Sequence, residues 1–201
     1  MCFGAFSKYV GYKLLVLALL CIVANILLYF PNGDTRYASH NYLGKYVGCL
    51  HGIIGGGLLV LVPAFTFIGI EYDHCRGCFH HENHGRSCSL IASIVVACVG
   101  ILGAGYCFII SALALAHGPY CYTRDVHSGC CPFSDSRYLM EHADWPLCQD
   151  PRAIVKWNVT LFSILLALSG IELILCTIQI INACIGGVCT ACNGHNEKCP
   201  C

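Results

Sequence analysis

The chain has 201 residues, of which 57% are hydrophobic and only 11% are charged, and its mean hydropathy is +0.66. A soluble domain carries roughly 25% charged residues, so this chain cannot cover itself with water-facing side chains, and much of its surface must face lipid. The formal net charge is zero; with no basic patch to pair with phosphates, a nucleic-acid partner is excluded.

Four apolar segments are long enough to cross a bilayer as helices. They cover residues 10–30, 47–70, 90–116 and 160–188, and each meets or approaches the roughly 20 residues that a helix needs to cross about 30 Å of hydrocarbon. The first is interpreted as a retained span, because Tyr29, Phe30 and Pro31 follow it where a signal peptide would need small residues. The sequence predicts an all-α membrane protein, a single domain with a four-helix bundle.

The loops between these spans alternate between the two sides of the membrane. Both termini and the loop 71–89 share one side, whereas the short loop 31–46 and the longer loop 117–158 share the other. Lysines and arginines are divided almost evenly between the two sides, so the positive-inside rule does not choose an orientation.

Cysteines and a glycosylation sequon favour an extracellular position for the longer loop. Its four cysteines, Cys121, Cys130, Cys131 and Cys148, form an even set that suits two disulfides in an oxidising space, with their pairing left open. Four free thiols in a cytosolic loop are the alternative. Asn158-Val159-Thr160 is a candidate glycosylation site on the same side, next to the fourth span. We therefore expect both termini in the cytosol.

Two polar residues stand out within the apolar segments. Glu172 is the acidic residue of the fourth span, and Asn25 lies in the first. Because a charge in mid-membrane costs about 3 kcal/mol on insertion scales, we expect Glu172 to be protonated or paired inside the bundle. Asn25 is the expected partner, with both residues placed off the bilayer centre. An interhelical hydrogen bond is the structural interpretation, and a proton or ion site is the functional one.

Small residues four apart predict close helix packing in two spans. Gly52 and Gly56 have this spacing in the second span, and Gly100 and Ala104 have it in the third. The pairs fit packing within one chain or an interface in a homodimer. Pro63 is expected to kink the second span, because proline lacks a backbone donor.

Cysteines near the membrane on the side of the termini allow three chemistries. Cys75, Cys78, His84 and Cys88 have a spacing close to that of a compact zinc site, the one cofactor that the sequence suggests. S-palmitoylation of juxtamembrane cysteines is the favoured alternative to zinc and to unmodified thiols, with Cys2, Cys75, Cys78, Cys88, Cys189 and Cys192 as candidates. The Cys189-x-x-Cys192 spacing is also compatible with a membrane thiol oxidoreductase.

Several stretches of the chain resemble one family of four-span proteins. They are Ala-Asn-Ile-Leu-Leu-Tyr-Phe-Pro-Asn-Gly at 24–33, Gly-Gly-Gly-Leu-Leu at 55–59, Pro-Ala-Phe at 63–65, Gly-Tyr-Cys at 105–107, Gly-Pro at 118–119, Trp-Asn-Val-Thr-Leu-Phe-Ser-Ile-Leu-Leu at 157–166 and Gly-Ile-Glu at 170–172. In order and spacing they are similar to the transmembrane-4 L-six family of tetraspanin-like proteins. Among the loop cysteines, Cys121 and Cys148 resemble the family's pair.

The resemblance implies a plasma-membrane protein with cytosolic termini and no enzymatic activity. Its expected role is that of a lateral organiser that associates with membrane lipids, integrins, tetraspanins and growth-factor receptors, and thereby influences adhesion, migration and growth signalling. A small membrane transporter is the alternative beside the thiol oxidoreductase. A transporter should show several polar residues converging near the bilayer midplane.

Overall fold

The computed structural model describes the backbone of residues 3–30, 51–73, 82–117 and 154–193, and side chains over 5–30, 51–69, 90–116 and 156–186. These residues form four helices, and no strand occurs among them. Helix α1 is Phe3–Tyr29, α3 is Glu82–His117 and α4 is Ile154–Asn193. Helix α2 has three consecutive parts: α-helical His51–Ile53, π-helical Ile54–Leu59 and α-helical Val60–Asp73.

Each helix contains a segment long and apolar enough to cross a membrane. These segments are Ala5–Tyr29, His51–Gly69, Leu90–Ala116 and Lys156–Gly186. The prediction of an all-α membrane protein with four spanning helices is confirmed. The disulfide-containing loop that completes the predicted fold lies outside the described residues.

The helices extend beyond the apolar segments at several ends. Helix α3 begins at Glu82, inside the expected loop 71–89, and α4 runs from Ile154 to Asn193, past both ends of the predicted span. Backbone hydrogen bonds within a helix do not require apolar side chains, so a helix continues past the hydrocarbon. Hydropathy therefore marks the part of a helix that crosses lipid and not its full length.

The four helices form an antiparallel ring in the order α1–α2–α3–α4. Helix α1 packs against α2 and α4, and α3 packs against α2 and α4. Gln179 near the end of α4 bonds to Ser7 near the start of α1, whereas Trp157 near the start of α4 bonds to the Leu27 carbonyl near the end of α1. The start of α1 and the end of α4 therefore lie at one end of the bundle, which we call the terminal end.

The bundle has an apolar exterior. Large hydrophobic side chains stand exposed on every helix, for example Leu19, Phe65, Leu102 and Ile174. Among the side chains that the structure describes, eight polar ones are instead fully buried. An apolar exterior around a core that also holds several polar side chains suits a molecule whose solvent is lipid.

Helix α2 departs from α-helical geometry just before Pro63. The π-helical turn Ile54–Leu59 contains three buried glycines at 55–57, and it passes directly into the α-helix that holds Pro63. Proline offers no N–H to the carbonyl of residue 59 and its ring crowds that carbonyl, while π-turns are a common way to absorb such a disturbance. At Pro63, where a kink is expected, the preceding turns of α2 are therefore π-helical.

Candidate functional site

The buried polar side chains are the strongest candidates for function in the described part of the chain. Most of these polar side chains, together with neighbouring cysteines and one glycine, form three groups along the bundle axis. The terminal tier is Ser7, Ser93 and Gln179; the central tier is Cys21, Cys107 and Glu172; the loop-side tier is Asn25, His51 and Gly52.

The central tier places a carboxyl group and two thiols from three helices around one glycine. The Cys21 thiol donates to Glu172 Oε1 at a Sγ–O distance of 3.6 Å, and Glu172 Oε2 has no hydrogen-bond partner. A Cβ on Gly56 would lie 3.0 Å from Cys21 Sγ and 3.2 Å from Cys107 Sγ, so the α2 backbone closes this tier. Because the site is fully buried, the uncharged carboxyl form is favoured.

The expected pairing of Glu172 with Asn25 is wrong. Cys21, one helical turn before Asn25, is the partner of Glu172 on α1. Asn25 instead packs near Leu165, since both would contact a Cβ placed on Gly52. Seven residues of α4 separate Leu165 from Glu172, about 10 Å along the helix axis, which puts the amide out of reach. Glu172 lies 16 residues after Lys156 in the apolar segment Lys156–Gly186, and its expected depth in the bilayer stays a prediction.

The loop-side tier holds an amide and an imidazole against apolar neighbours. Neither amide atom of Asn25 has a hydrogen-bond partner, although the residue is 0% exposed. The His51 ring stacks on Phe162 with ring centroids 5.6 Å apart and 12° between planes. A Cβ on Gly52 would be 2.7 Å from Asn25 Cβ, so the α2 backbone packs directly against the Asn25 side chain here.

One tryptophan caps the end of α1 beside this tier. Trp157 Nε1 donates to the Leu27 carbonyl oxygen at 3.1 Å, and the Phe30 backbone N–H donates to the same oxygen at 3.2 Å. Carbonyls in the last turn of a helix lack intrahelical donors. Trp157 therefore supplies a donor to a carbonyl at the end of α1, and this bond fixes the position of α4 along the α1 axis.

The terminal tier links three helices through a single amide. Gln179 Nε2 on α4 donates to Ser7 Oγ on α1 and to Ser93 Oγ on α3, the latter at 3.2 Å. All three residues are 0% exposed. Gln179 lies within the predicted fourth span, but it is not among the predicted site residues. Its polarity was the available signal, whereas its partners follow from the helix register.

The four predicted packing residues all lie at helix contacts within the chain. Gly52 and Gly56 face Asn25 and Cys21 of α1 as described above. A Cβ on Gly100 would be 2.8 Å from Cys176 Sγ and 2.9 Å from Pro63 Cγ, and Ala104 is 0% exposed. The small-residue pairs thus serve contacts of α2 with α1, and of α3 with α2 and α4.

The predicted modification and metal residues lie at or beyond the edges of the described chain. Of the disulfide and acylation candidates, Cys2, Cys75, Cys78, Cys121, Cys130, Cys131 and Cys148 lie outside the described residues. Cys88 belongs to α3, and Cys189 and Cys192 belong to the last turns of α4. Asn158 lies in the second turn of α4 and is half-buried.

The suggested zinc ligands are divided in the same way. His84 and Cys88 are one turn apart in α3, whereas Cys75 and Cys78 lie outside the described part of the chain. Within the described side chains, no group of three or more His, Cys, Asp or Glu residues is arranged to hold a metal ion.

The architecture and the polar tiers belong to a chain with close relatives over its whole length. A model of the L6 membrane protein family matches residues 1–193. The chain belongs to the L6 membrane protein family. Transmembrane 4 L6 family member 1 of Homo sapiens is 50% identical, and the match covers 100% of both chains.

More distant L6 relatives match almost as completely. Transmembrane 4 L6 family member 4 of Rattus norvegicus is 41% identical over 96% of this chain and 94% of its own length. Family member 5 of Homo sapiens is 39% identical over 98% of each chain. No solved structure matches this L6 protein. The predicted resemblance is confirmed, and no enzyme is named among these relatives.

Proposed function

We propose that this L6 protein is a non-enzymatic organiser of the plasma membrane that associates laterally with receptors, integrins or tetraspanin-like proteins. Its exposed apolar side chains supply a surface that other membrane helices and lipids can pack against. Membership of a membrane protein family supports the same role, since the relatives compared above are not named as enzymes. Influence on adhesion, migration and growth signalling would follow from such associations.

The observation that carries this proposal is the packed layer between the terminal and central tiers. On α1, Val10, Leu14 and Ala18 lie between Ser7 and Cys21, and each is 1% exposed or less. On α3 and α4, Ala97, Ala104 and Cys176 occupy the same layer. A transport pathway needs polar groups that continue across the membrane. Here an apolar layer separates the two tiers, about 20 Å long on α1 between Ser7 and Cys21 and about 10 Å long on α4 between Glu172 and Gln179.

Proximity labelling in living cells tests the organiser role. A biotin ligase fused to the full chain should enrich adhesion or growth-factor receptors above the level obtained with an unrelated four-span protein at equal surface abundance. Equal labelling by the two fusions would contradict the proposal. Reconstitution in liposomes tests the transporter alternative, because solute flux above that of empty liposomes would replace the organiser role with a transport role.

The proposed orientation places both termini and the loop 71–89 in the cytosol. It is supported by the four-helix ring, which puts the start of α1 and the end of α4 at the same end, and by the cysteines and sequon of the longer loop. Epitope tags at each terminus should be detected only after permeabilisation. A glycosidase-sensitive mass shift that disappears in Asn158→Gln would show that the loop side is extracellular, and tags stained on intact cells would reverse the orientation.

Acylation of the juxtamembrane cysteines is the proposed chemistry of the terminal end. Cys88, Cys189 and Cys192 lie near helix ends, where an attached chain can enter the nearby leaflet. Palmitate-exchange mapping should identify them together with Cys2, Cys75 and Cys78. Stoichiometric zinc in the purified protein would contradict lipidation of Cys75, Cys78 and Cys88.

A further inference from the structure

A lysine lies on the lipid-facing side of α1, inside the segment that crosses the membrane. Lys13 is exposed, and it shares its face of α1 with Tyr9, Val16 and Leu20, which are 60%, 55% and 48% exposed. The apolar members of this face have lipid as their solvent. A lysine there is costly unless its ammonium group reaches the headgroups.

The position of Lys13 along α1 places it near the hydrocarbon boundary at the terminal end. Sixteen residues separate it from Tyr29 at the end of the span Ala5–Tyr29, a rise of about 24 Å. If Tyr29 marks the far boundary of a hydrocarbon layer of about 30 Å, the Lys13 backbone lies about 6 Å inside the near boundary. The long side chain of lysine suits this depth, since it extends from apolar surroundings to the phosphate layer.

The side chain is directed toward that boundary. Lys13 Nζ lies 5.4 Å from the centroid of the Tyr9 ring, one turn closer to the terminal end. A ring face attracts the ammonium group, yet the ammonium group has three donors, and a ring face does not supply three acceptors. At the boundary of the hydrocarbon, lipid phosphates and carboxylates are the principal acceptors available to the remaining donors.

We propose that Lys13 and Tyr9 form a binding site for the headgroup of an anionic phospholipid in the leaflet at the terminal end. Tyr9 holds the ammonium group in place, and the ammonium group pairs with the lipid's phosphate. An anionic lipid is preferred over a zwitterionic one, because the choline of the latter already balances its phosphate. The site depends on the position of α1 and not on the organiser role.

Lipid titration of the purified full-length protein tests this proposal. Native mass spectrometry would measure the lipid-bound fraction with phosphatidylserine and, separately, with phosphatidylcholine. Lys13→Gln should weaken phosphatidylserine binding about fivefold, as expected for one lysine near the surface, and leave phosphatidylcholine binding unchanged. Lys13→Arg should retain binding, since it keeps the charge.

Two further comparisons isolate the ring and the position of the charge. Tyr9→Phe keeps the ring and should bind phosphatidylserine as the wild type does, whereas Tyr9→Leu should bind more weakly. Lys156→Gln removes another exposed lysine at the other end of the bundle and should have no effect. Wild-type phosphatidylserine affinity in Lys13→Gln would overturn the proposal, and so would equal losses for both lipids or an equal loss in Lys156→Gln. Unchanged elution volume and unfolding temperature establish that each variant is folded.

Discussion

Replacing Gly103 with alanine should destabilise the bundle at the closest contact between α2 and α3. A Cβ at this position would lie 2.6 Å from the Gly55 carbonyl oxygen and 2.6 Å from Leu59 Cβ. Neither atom lies at the flexible end of a side chain, so the clash with the added Cβ can be relieved only by a shift of the backbone. Such overpacking costs about 1–3 kcal/mol, and contact with a backbone oxygen places Gly103→Ala in the upper part of that range.

Gly105→Ala is the matched control for this substitution. It lies in the same helix, but a Cβ there would have Leu173 Cδ2 as its nearest contact at 3.9 Å, an ordinary separation. Both changes replace glycine by alanine in a helix interior, which favours the helix by about 1 kcal/mol. That gain cancels in the comparison. The difference in stability between the two variants therefore measures the packing cost at Gly103.

Thermal unfolding of the two variants in the same detergent provides the measurement. For a chain of this size a cost of about 3 kcal/mol corresponds to a difference in Tm of roughly 6–12 °C, with Gly103→Ala the less stable variant. Loss of the monodisperse peak on size-exclusion chromatography after heating gives the Tm without relying on the cysteines. Equal Tm values for the two variants would refute the inference that the backbones of α2 and α3 are in direct contact at this point.

Four further substitutions test the polar tiers and the Trp157 hydrogen bond. Glu172→Gln should reach the cell surface at the wild-type level, because its amide oxygen still accepts the thiol bond; a large loss in surface biotinylation would contradict this role. Gln179→Leu and Ser93→Ala should show a coupling energy of about 0.6 kcal/mol in a double-mutant cycle of unfolding, and additive effects would argue against their hydrogen bond. Trp157→Phe should lower stability by about 0.5–1 kcal/mol through loss of the bond to the Leu27 carbonyl, and an unchanged Tm would show that the bond contributes nothing.

Much of the architecture was predictable because hydropathy acts locally. A run of apolar residues such as 90–116 must be helical in lipid, since each backbone group needs a partner and a helix supplies them within the segment. The same rule gave four spans and an apolar surface that faces lipid. Hydropathy did not predict the start of α3 at Glu82, because a helix can continue beyond the hydrocarbon, where its side chains need not be apolar.

The candidate site was predictable only in part. Glu172 and Asn25 were selected because polarity in an apolar segment is visible in the sequence, but their pairing was wrong. Cys21 was interpreted as a small apolar residue, although its thiol is the donor to Glu172. The lipid-facing position of Lys13 was equally hidden, since one-dimensional hydropathy does not say which face of α1 meets the other helices.

By itself, the sequence determined that the chain resides in a bilayer, that it crosses four times and that it belongs to the L6 family. These properties depend on segment length and composition, which are read along the chain. Only the tertiary structure decided which polar groups meet, because a shift of one turn moves a partner by about 5.4 Å, more than a hydrogen bond spans. The contacts of Gly56 and Gly103 set that register, and with it the Cys21–Glu172 and Gln179–Ser93 pairs.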